Sequence, residues 1–444
     1  MNRKQVAVIG AGVAGLGAAW LLAKRHAVTL YEKDLAFGGH SHTVAVDTPA
    51  GELGVDTGFV VYNEPNYPHL TALFRHLGVA TQPTEMSFSA SIDDGRIEYA
   101  GSDLNTLFAQ RANLVSPAYW GMLRDILRFN RDAKRSLATG DADALDLGAY
   151  LDRGRYGHRL TEHYLLPMAA AIWSCPTATM RAFPARSFLQ FFANHGLLDI
   201  VGRPQWQTVT GGSRRYVARL VAALANRAFA GRPAVRVSRQ ADGVWVTASD
   251  GQRERYDEVV LACHADDALR LIDGPLPNER AILGRFRYQE NRALLHSDPA
   301  LMPRQRRVWS SWNYLAQTRR GATERVSVSY WMNRLQGLPG ERPYFVSLNP
   351  LSEPDPRTVV SEMTYHHPVF DADAVRAQAY LDSLQGRGHL WFCGSYAGYG
   401  FHEDALASAV RVAKRLGVTA PWMQGAKVTA DLPSDLHGEQ ALAS

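Results

Sequence analysis

The sequence predicts an α/β protein: a Rossmann-like domain with a parallel sheet covered on both faces, interleaved with an α+β domain built on an antiparallel sheet. Three observations carry this. Residues 6–9 (Val-Ala-Val-Ile) form a strand pattern that runs into Gly10, Gly12 and Gly15, a helical stretch and a second strand ending in Glu32. Two later stretches, 259–264 and 389–396, are apolar enough for strands buried on both faces. Runs rich in Trp, Tyr and Val at 293–296, 307–314, 325–331, 344–348 and 359–365 suit a large antiparallel sheet.

The first stretch has a physical reading at each residue. Gly10 permits a tight turn, Gly12 lets backbone approach a pyrophosphate, and Gly15 lets the helix pack close on the strand. The helix beginning near Val13 and Ala14 offers free N–H groups and a positive dipole end to phosphate. Glu32, at the end of the second strand, stands where a carboxylate accepts hydrogen bonds from ribose hydroxyls. A glycine fingerprint alone is weak; here strand, helix and acid are in register. A rival reading takes Asn2-Arg3-Lys4 and residues 6–23 as a signal peptide. The fingerprint spacing and the β-branched strand that follows argue against it. No other stretch is long and apolar enough to span a bilayer.

Composition narrows the class. The chain has 444 residues, enough for two domains with cores of their own. A formal charge of +5 with scattered arginines is no nucleic-acid signature, though it suits an acidic substrate or an anionic membrane. Cys175, Cys263 and Cys393 form no paired motif, so neither a redox disulfide nor a thiolate zinc site is expected, and cytoplasmic thiols are the default.

In chain order, Gly38-Gly39-His40 lets backbone run close to a bound cofactor, and Asp56-Thr57-Gly58 reads as a strand with a turn. Residues 67–77 form an amphipathic helix with Leu70, Leu73, Phe74 and Leu77 on one face. Asp93-Asp94-Gly95 turns a hairpin between 86–92 and 96–99. A helical tract over 103–137 breaks at Ser116-Pro117. Its arginines (111, 124, 128, 131 and 135) read most simply as a solvated face, and otherwise as a surface for anionic lipid. Residues 158–174 form a buried helix that Pro167 should kink. Trp173 with Ser174-Cys175-Pro176, and the phenylalanines of 183–192, read as core that also suits an apolar cavity. A turn and helix cover 206–227, and strands 234–237, 244–248 and 256–262 follow. Tyr365-His366-His367-Pro368 holds the densest histidine pair, with Asp371 too little to complete a metal site; no metal is expected. Gly394-Ser395 leads through a glycine loop to a helix ending near Leu416, and a polar tail spans 421–444.

The glycine turn, terminal acid and GG doublet together resemble the FAD-binding half of the amine oxidase/phytoene desaturase superfamily. The resemblance implies FAD bound through Gly10, Gly12, Val13, Ala14, Gly15, Glu32 and Lys33. Gly38, Gly39 and His40 would follow the pyrophosphate and ribityl chain, His40 standing where the superfamily has Arg. Thr57 and Gly58 would lie beside the flavin, Val235 near adenine, and Gly394, Ser395, His402 and Ala405 along the ribityl and ring. It further implies a discontinuous FAD domain (1–75, 205–270, 386–420) and a substrate domain (76–204, 271–385).

With one fingerprint and no cysteine pair, a flavin reduced by its own substrate is expected. The segments GGHSHT, YNEPNY and CGSYAGYGFHED resemble a bacterial branch associated with cyclopropane-fatty-acid-synthase-like methyltransferases. That resemblance implies desaturation of a lipid acyl chain and a methyltransferase partner; the peripheral membrane contact comes from the alternative reading of the arginines in 103–137. His402, Glu403, Tyr365 and His366 are the candidate catalytic groups. An amine oxidase, a double-bond isomerase and a non-catalytic flavin-binding partner are the alternatives.

Overall fold

The computed structural model describes residues 3–173, 177–199, 202–317 and 325–423. A five-stranded parallel sheet has the order Ala228–Phe229, Ala27–Tyr31, Gln5–Ile9, Glu258–Leu261, Leu390–Phe392. Alternation along the first strand explains its apolar run. Val6 and Val8 face the helices Val13–Leu22, Arg214–Ala222 and His402–Arg415. Ala7 and Ile9 face the antiparallel three-stranded sheet of Ala234–Gln240, Gly243–Ala248 and Arg253–Tyr256. The strand expected over 256–262 is divided, since Tyr256 ends the small sheet and Glu258 begins the parallel one.

The second large sheet has seven strands, in the order Val359–Val369, Arg287–His296, Phe345–Leu348, Arg325–Trp331, Trp312–Gln317, Phe88–Ile92, Ile97–Ala100. Every pair is antiparallel except Phe88–Ile92 with Trp312–Gln317. The run at 307–314 is strand only from Trp312; before it lies the short turn Arg306–Val308. Val359–Val369 continues four residues past the expected end, through Pro368. It is an edge strand, where a missing N–H costs no ladder bond.

Helices cover this sheet. Ser116 caps Pro117–Thr139 through Tyr119 N–H, so the chain breaks at Ser116-Pro117. Only short turns, Leu104–Leu107 and Arg111–Val115, precede it. Around Pro167 the helix does not simply bend. Its turn Thr161–Leu165 widens to π geometry before Leu166–Trp173. Pro167 cannot donate to the His163 carbonyl, and the Tyr99 hydroxyl donates to it instead. Ser174-Cys175-Pro176 and most of the tail lie outside the described residues. No helix of the described residues is long and apolar enough to cross a membrane.

Candidate functional site

The site is assembled where the strand Gln5–Ile9 ends. Gly10, at φ +98°, donates to the Tyr31 carbonyl at 2.8 Å, and a Cβ on Gly15 would collide with the Gly10 carbonyl. Gly12 is different: its φ of −67° suits any residue, and a Cβ there would meet nothing within 4 Å. The fold itself therefore makes no demand for glycine at 12, and the space in front of the helix start is open. The GG doublet lies against this turn. Gly38 N–H donates to the Ala11 carbonyl at 2.9 Å, and a Cβ on Gly39 would come within 3.2 Å of Gly12 Cα.

Glu32 is buried and braces the same loop, accepting from Ala11 N–H at 2.6 Å and Asp34 N–H at 2.9 Å. Burial raises its pKa despite those two bonds. Lys33 is exposed. Gly231 and Arg232 donate backbone N–H to the Asp34 and Glu32 carbonyls, which brings the strand carrying exposed Val235 beside the acid.

After the doublet, His40 accepts at its carbonyl from Phe59 N–H, and a Cβ on Gly58 would strike that carbonyl. The His40 ring lies 5.0 Å from Tyr365 and 5.3 Å from His367, and its Nε2 is buried with no hydrogen-bond partner. Thr57 Oγ1 joins the Tyr365 hydroxyl at 2.7 Å and His42 Nδ1 at 2.9 Å. His402, at the head of the C-terminal helix, stacks on Phe59 at 3.8 Å, with Nε2 2.9 Å from Ser41 Oγ. Gly394 N–H donates to Ser408 Oγ at 2.9 Å; Ser395 is half-buried, and Ala405 is buried against the glycine-loop helix.

The structure thus brings His40, Thr57, Tyr365 and His402 together along the doublet. It does not bring Glu403 or His366 there. The Glu403 carboxylate turns away to accept from His69 and Leu70 N–H at 2.8 and 3.0 Å, at the start of the helix Pro68–Leu77. Burial pushes it up to about 7. His366 is half-exposed and faces Glu290 at 3.8 Å. The correction is one of strand parity: with the strand running to Val369, Tyr365 and His367 share a face and His366 takes the other. The sequence reading missed His367 because it ended the strand at Tyr365.

Hydrogen bonds fix the His367 tautomer. Asn349 Oδ1 accepts from Arg292 N–H, so its amide donates to Asn291 Oδ1 at 2.7 Å. The Asn291 amide in turn donates to His367 Nδ1 at 2.8 Å, leaving the proton of the neutral ring on Nε2. Burial lowers the imidazoles of the cluster, His40 to about 4 and His367 and His402 to about 3, and raises Tyr365 to about 12. These rings are uncharged at neutral pH. Among the described residues one group, His264 with Asp266 and Asp267, gathers possible metal-ligand atoms within 4.8 Å, and Arg270 already pairs with both carboxylates.

The lowered imidazoles set a pH dependence. A base whose pKa falls on folding contributes stability above its unfolded value near 6.5 and loses it as pH falls towards the folded value. His402→Gln is expected to flatten this slope by up to about 1.4 kcal/mol per pH unit between pH 6.5 and 4. Urea melts at pH 7 and pH 5 measure it; an unchanged slope would mean His402 is not held neutral by the fold.

Beyond His402 the site meets aromatic side chains. Phe401 lies 5.0 Å from Phe191, which stacks on His195 at 3.9 Å and contacts Trp173 at 4.7 Å. A small crevice, with room for about one water molecule, lies between Trp173, Met180 and Phe183 on one side and Pro368, Val369 and Phe370 on the other.

Comparison with known proteins fits this geometry. The family model described as flavin containing amine oxidoreductase matches residues 13–344. The Mycobacterium tuberculosis H37Rv protein AofH, described as a flavin-containing monoamine oxidase, is 27% identical over 293 residues. The match spans 62% of this chain and 60% of AofH. Among solved structures, putrescine oxidase bound to putrescine superposes with a TM-score of 0.67 at 18% identity, covering 93% of this chain and 99% of that one. A fatty acid isomerase from P. acnes that produces CLA superposes at 0.66 and 16%, covering 94% and 99%. At these identities the superpositions establish the fold alone.

Proposed function

Because this chain belongs to the flavin-containing amine oxidoreductase family, we propose that it is an FAD-dependent oxidoreductase that desaturates an unsaturated acyl chain of a lipid. The residues fit FAD. Gly12 leaves open the space in front of a helix start, and the doublet lies on the same turn. FAD, when bound, supplies the acceptor for a hydride equivalent.

The observation that carries the acyl-chain reading is the neutral character of the rings along the doublet, continued by the aromatic side chains from Phe401 to Trp173. Such surroundings accept an uncharged hydrocarbon without stranding a charge. Once an allylic carbon has given up hydride, the neighbouring C–H is strongly acidic, so a weak base suffices. His40 Nε2, buried and unpartnered, is a base of that strength in the tautomer that carries the ring proton on Nδ1. The His367 Nε2–H and the Tyr365 hydroxyl, held by Asn291 and Thr57, orient the polar side of the cluster. Loss of one hydride and one proton leaves a second double bond conjugated with the first. The resemblance of GGHSHT and CGSYAGYGFHED to the methyltransferase-associated branch supports a substrate from methylated lipid and a methyltransferase partner.

Amine oxidation is the second reading, favoured by the AofH match and by an aromatic supply adequate for an amine. Anaerobic titration of the visible spectrum separates the two. Bleaching by phospholipid with mono-unsaturated chains, with a conjugated diene as product, is the expected result; bleaching by amines alone would refute the acyl-chain reading. His40→Gln should keep its flavin yet bleach about a hundredfold more slowly with lipid. The wild-type rate should stay flat from pH 8 down to about 5, since the His40 acceptor protonates only near 4.

A further inference from the structure

We propose that the chain docks on anionic lipid bilayers through the surface formed by residues 104–135. The observation is the distribution of exposed apolar side chains. Nine large ones are exposed among the described residues, and five of them, Leu104, Leu114, Val115, Trp120 and Leu127, fall between positions 104 and 127. Val115 is 84% exposed and Leu104 74%.

These side chains form one surface with the basic groups around them. On the helix Pro117–Thr139, Trp120, Arg124, Leu127 and Arg131 recur at spacings of four, three and four, which is one helical face, and all four are exposed. The opposite face, with Tyr119, Met122, Phe129 and Ala133, is buried. The preceding turns join the exposed face: Trp120 Nε1–H donates to the Leu114 carbonyl at 2.9 Å, and its ring lies 5.3 Å from Phe108.

The charge chooses the occupant. Residues 104–135 carry six basic and two acidic side chains. Both acids are engaged within the protein: Asp125 is buried and paired with Arg128, and Asp132 is paired with Arg131. Arg111 and Arg124 have no carboxylate partner within 4 Å among the described residues. An apolar centre carrying a tryptophan, with arginines at its rim, matches an interface of acyl chains and phosphate headgroups. Beneath the surface, Phe108, Tyr119 and Met122 pack on Tyr164, which also packs on the aromatic core containing Trp173 and Phe191. The link from bilayer to site rests on the acyl-chain reading; the docking surface stands without it.

Co-sedimentation of the flavin-loaded chain with vesicles tests this. Binding is expected to phosphatidylglycerol-containing vesicles, to be weak on pure phosphatidylcholine, and to be lost at about 0.5 M salt, where the screening length falls to roughly 4 Å. Arg124→Gln with Arg131→Gln should weaken partitioning about fivefold per arginine. Val115→Asn with Trp120→Ser should reduce it at least tenfold, while Tyr380→Ser, an exposed aromatic elsewhere, should not change it. Saturated-chain vesicles of the same headgroup should bind equally without bleaching flavin, so docking and desaturation fail separately. Equal binding to neutral and anionic vesicles, binding indifferent to the patch variants, or a dimer that those variants dissolve while vesicles go unbound would each overturn the proposal.

Discussion

Gly15→Ala is expected to purify colourless, while Gly12→Ala folds normally and also fails to hold flavin. The two glycines lie three residues apart and act for different reasons. A Cβ at 15 would collide with the Gly10 carbonyl oxygen, approach its carbon to 2.9 Å, and lie 3.2 Å from Ala262 Cβ. The helix cannot retreat, since all ten residues of Val13–Leu22 are buried. Overpacking of this kind costs about 1–3 kcal/mol and moves the helix start away from the strand end. At position 12 the added methyl meets no protein atom, so the apo-protein keeps its melting temperature and loses only the space the pyrophosphate needs. The ratio of flavin to protein absorbance and the apo melting temperature report both effects. Full flavin content in Gly15→Ala would refute the assignment of this turn.

Asp56→Ala should be the most destabilising single substitution near the site, at about 3–5 kcal/mol. The carboxylate is 1% exposed and gathers segments distant in sequence. It accepts from Thr43 Oγ1 at 2.5 Å, from Ser213 N–H at 2.9 and 3.0 Å, from Ser213 Oγ at 2.9 Å, and from Gln336 Nε2 at 3.4 Å. Alanine strands all of these donors. Asparagine keeps an acceptor and should cost less. Burial pushes the Asp56 carboxyl up to about 6 despite those bonds. An acid whose pKa rises on folding contributes stability at low pH that is lost as pH rises through the folded value. Asp56→Asn should therefore remove a slope of about 1.4 kcal/mol per pH unit between pH 4 and 6. Denaturant melts across that range give both numbers; a loss below 1 kcal/mol for Asp56→Ala at pH 7 would show that the segments are joined by other contacts.

Asp56 also marks a limit of reading the chain by itself. Its neighbours Thr57 and Gly58 are legible as part of a D-x-G element, but the partners of Asp56 stand 13, 157 and 280 residues away. No local pattern reports such distances. Glu403 is similar: three acids or imidazoles in a row, His402-Glu403-Asp404, look equally suited to a site. Only the packing of the C-terminal helix against Pro68–Leu77 sends Glu403 to that helix's amides and His402 to Ser41.

By itself the sequence determined the parts governed by local backbone chemistry. Gly10, Gly15 and the doublet are demanded by positive φ or close approach, Glu32 follows from its place at a strand end, and Ser116-Pro117 from a helix start. Alternation also made both apolar faces of the parallel sheet legible, because each strand's pattern depends only on its own residues. The tertiary structure alone decided which polar side chains converge. It carried the edge strand through Pro368 and so chose His367 over His366. It isolated His40 Nε2 among neutral rings, and it gathered Leu114, Val115 and Trp120 on one surface. Burial, hydrogen-bond partners and the resulting charge state belong to the assembled interior, and they are set by segments that meet only after the chain has folded.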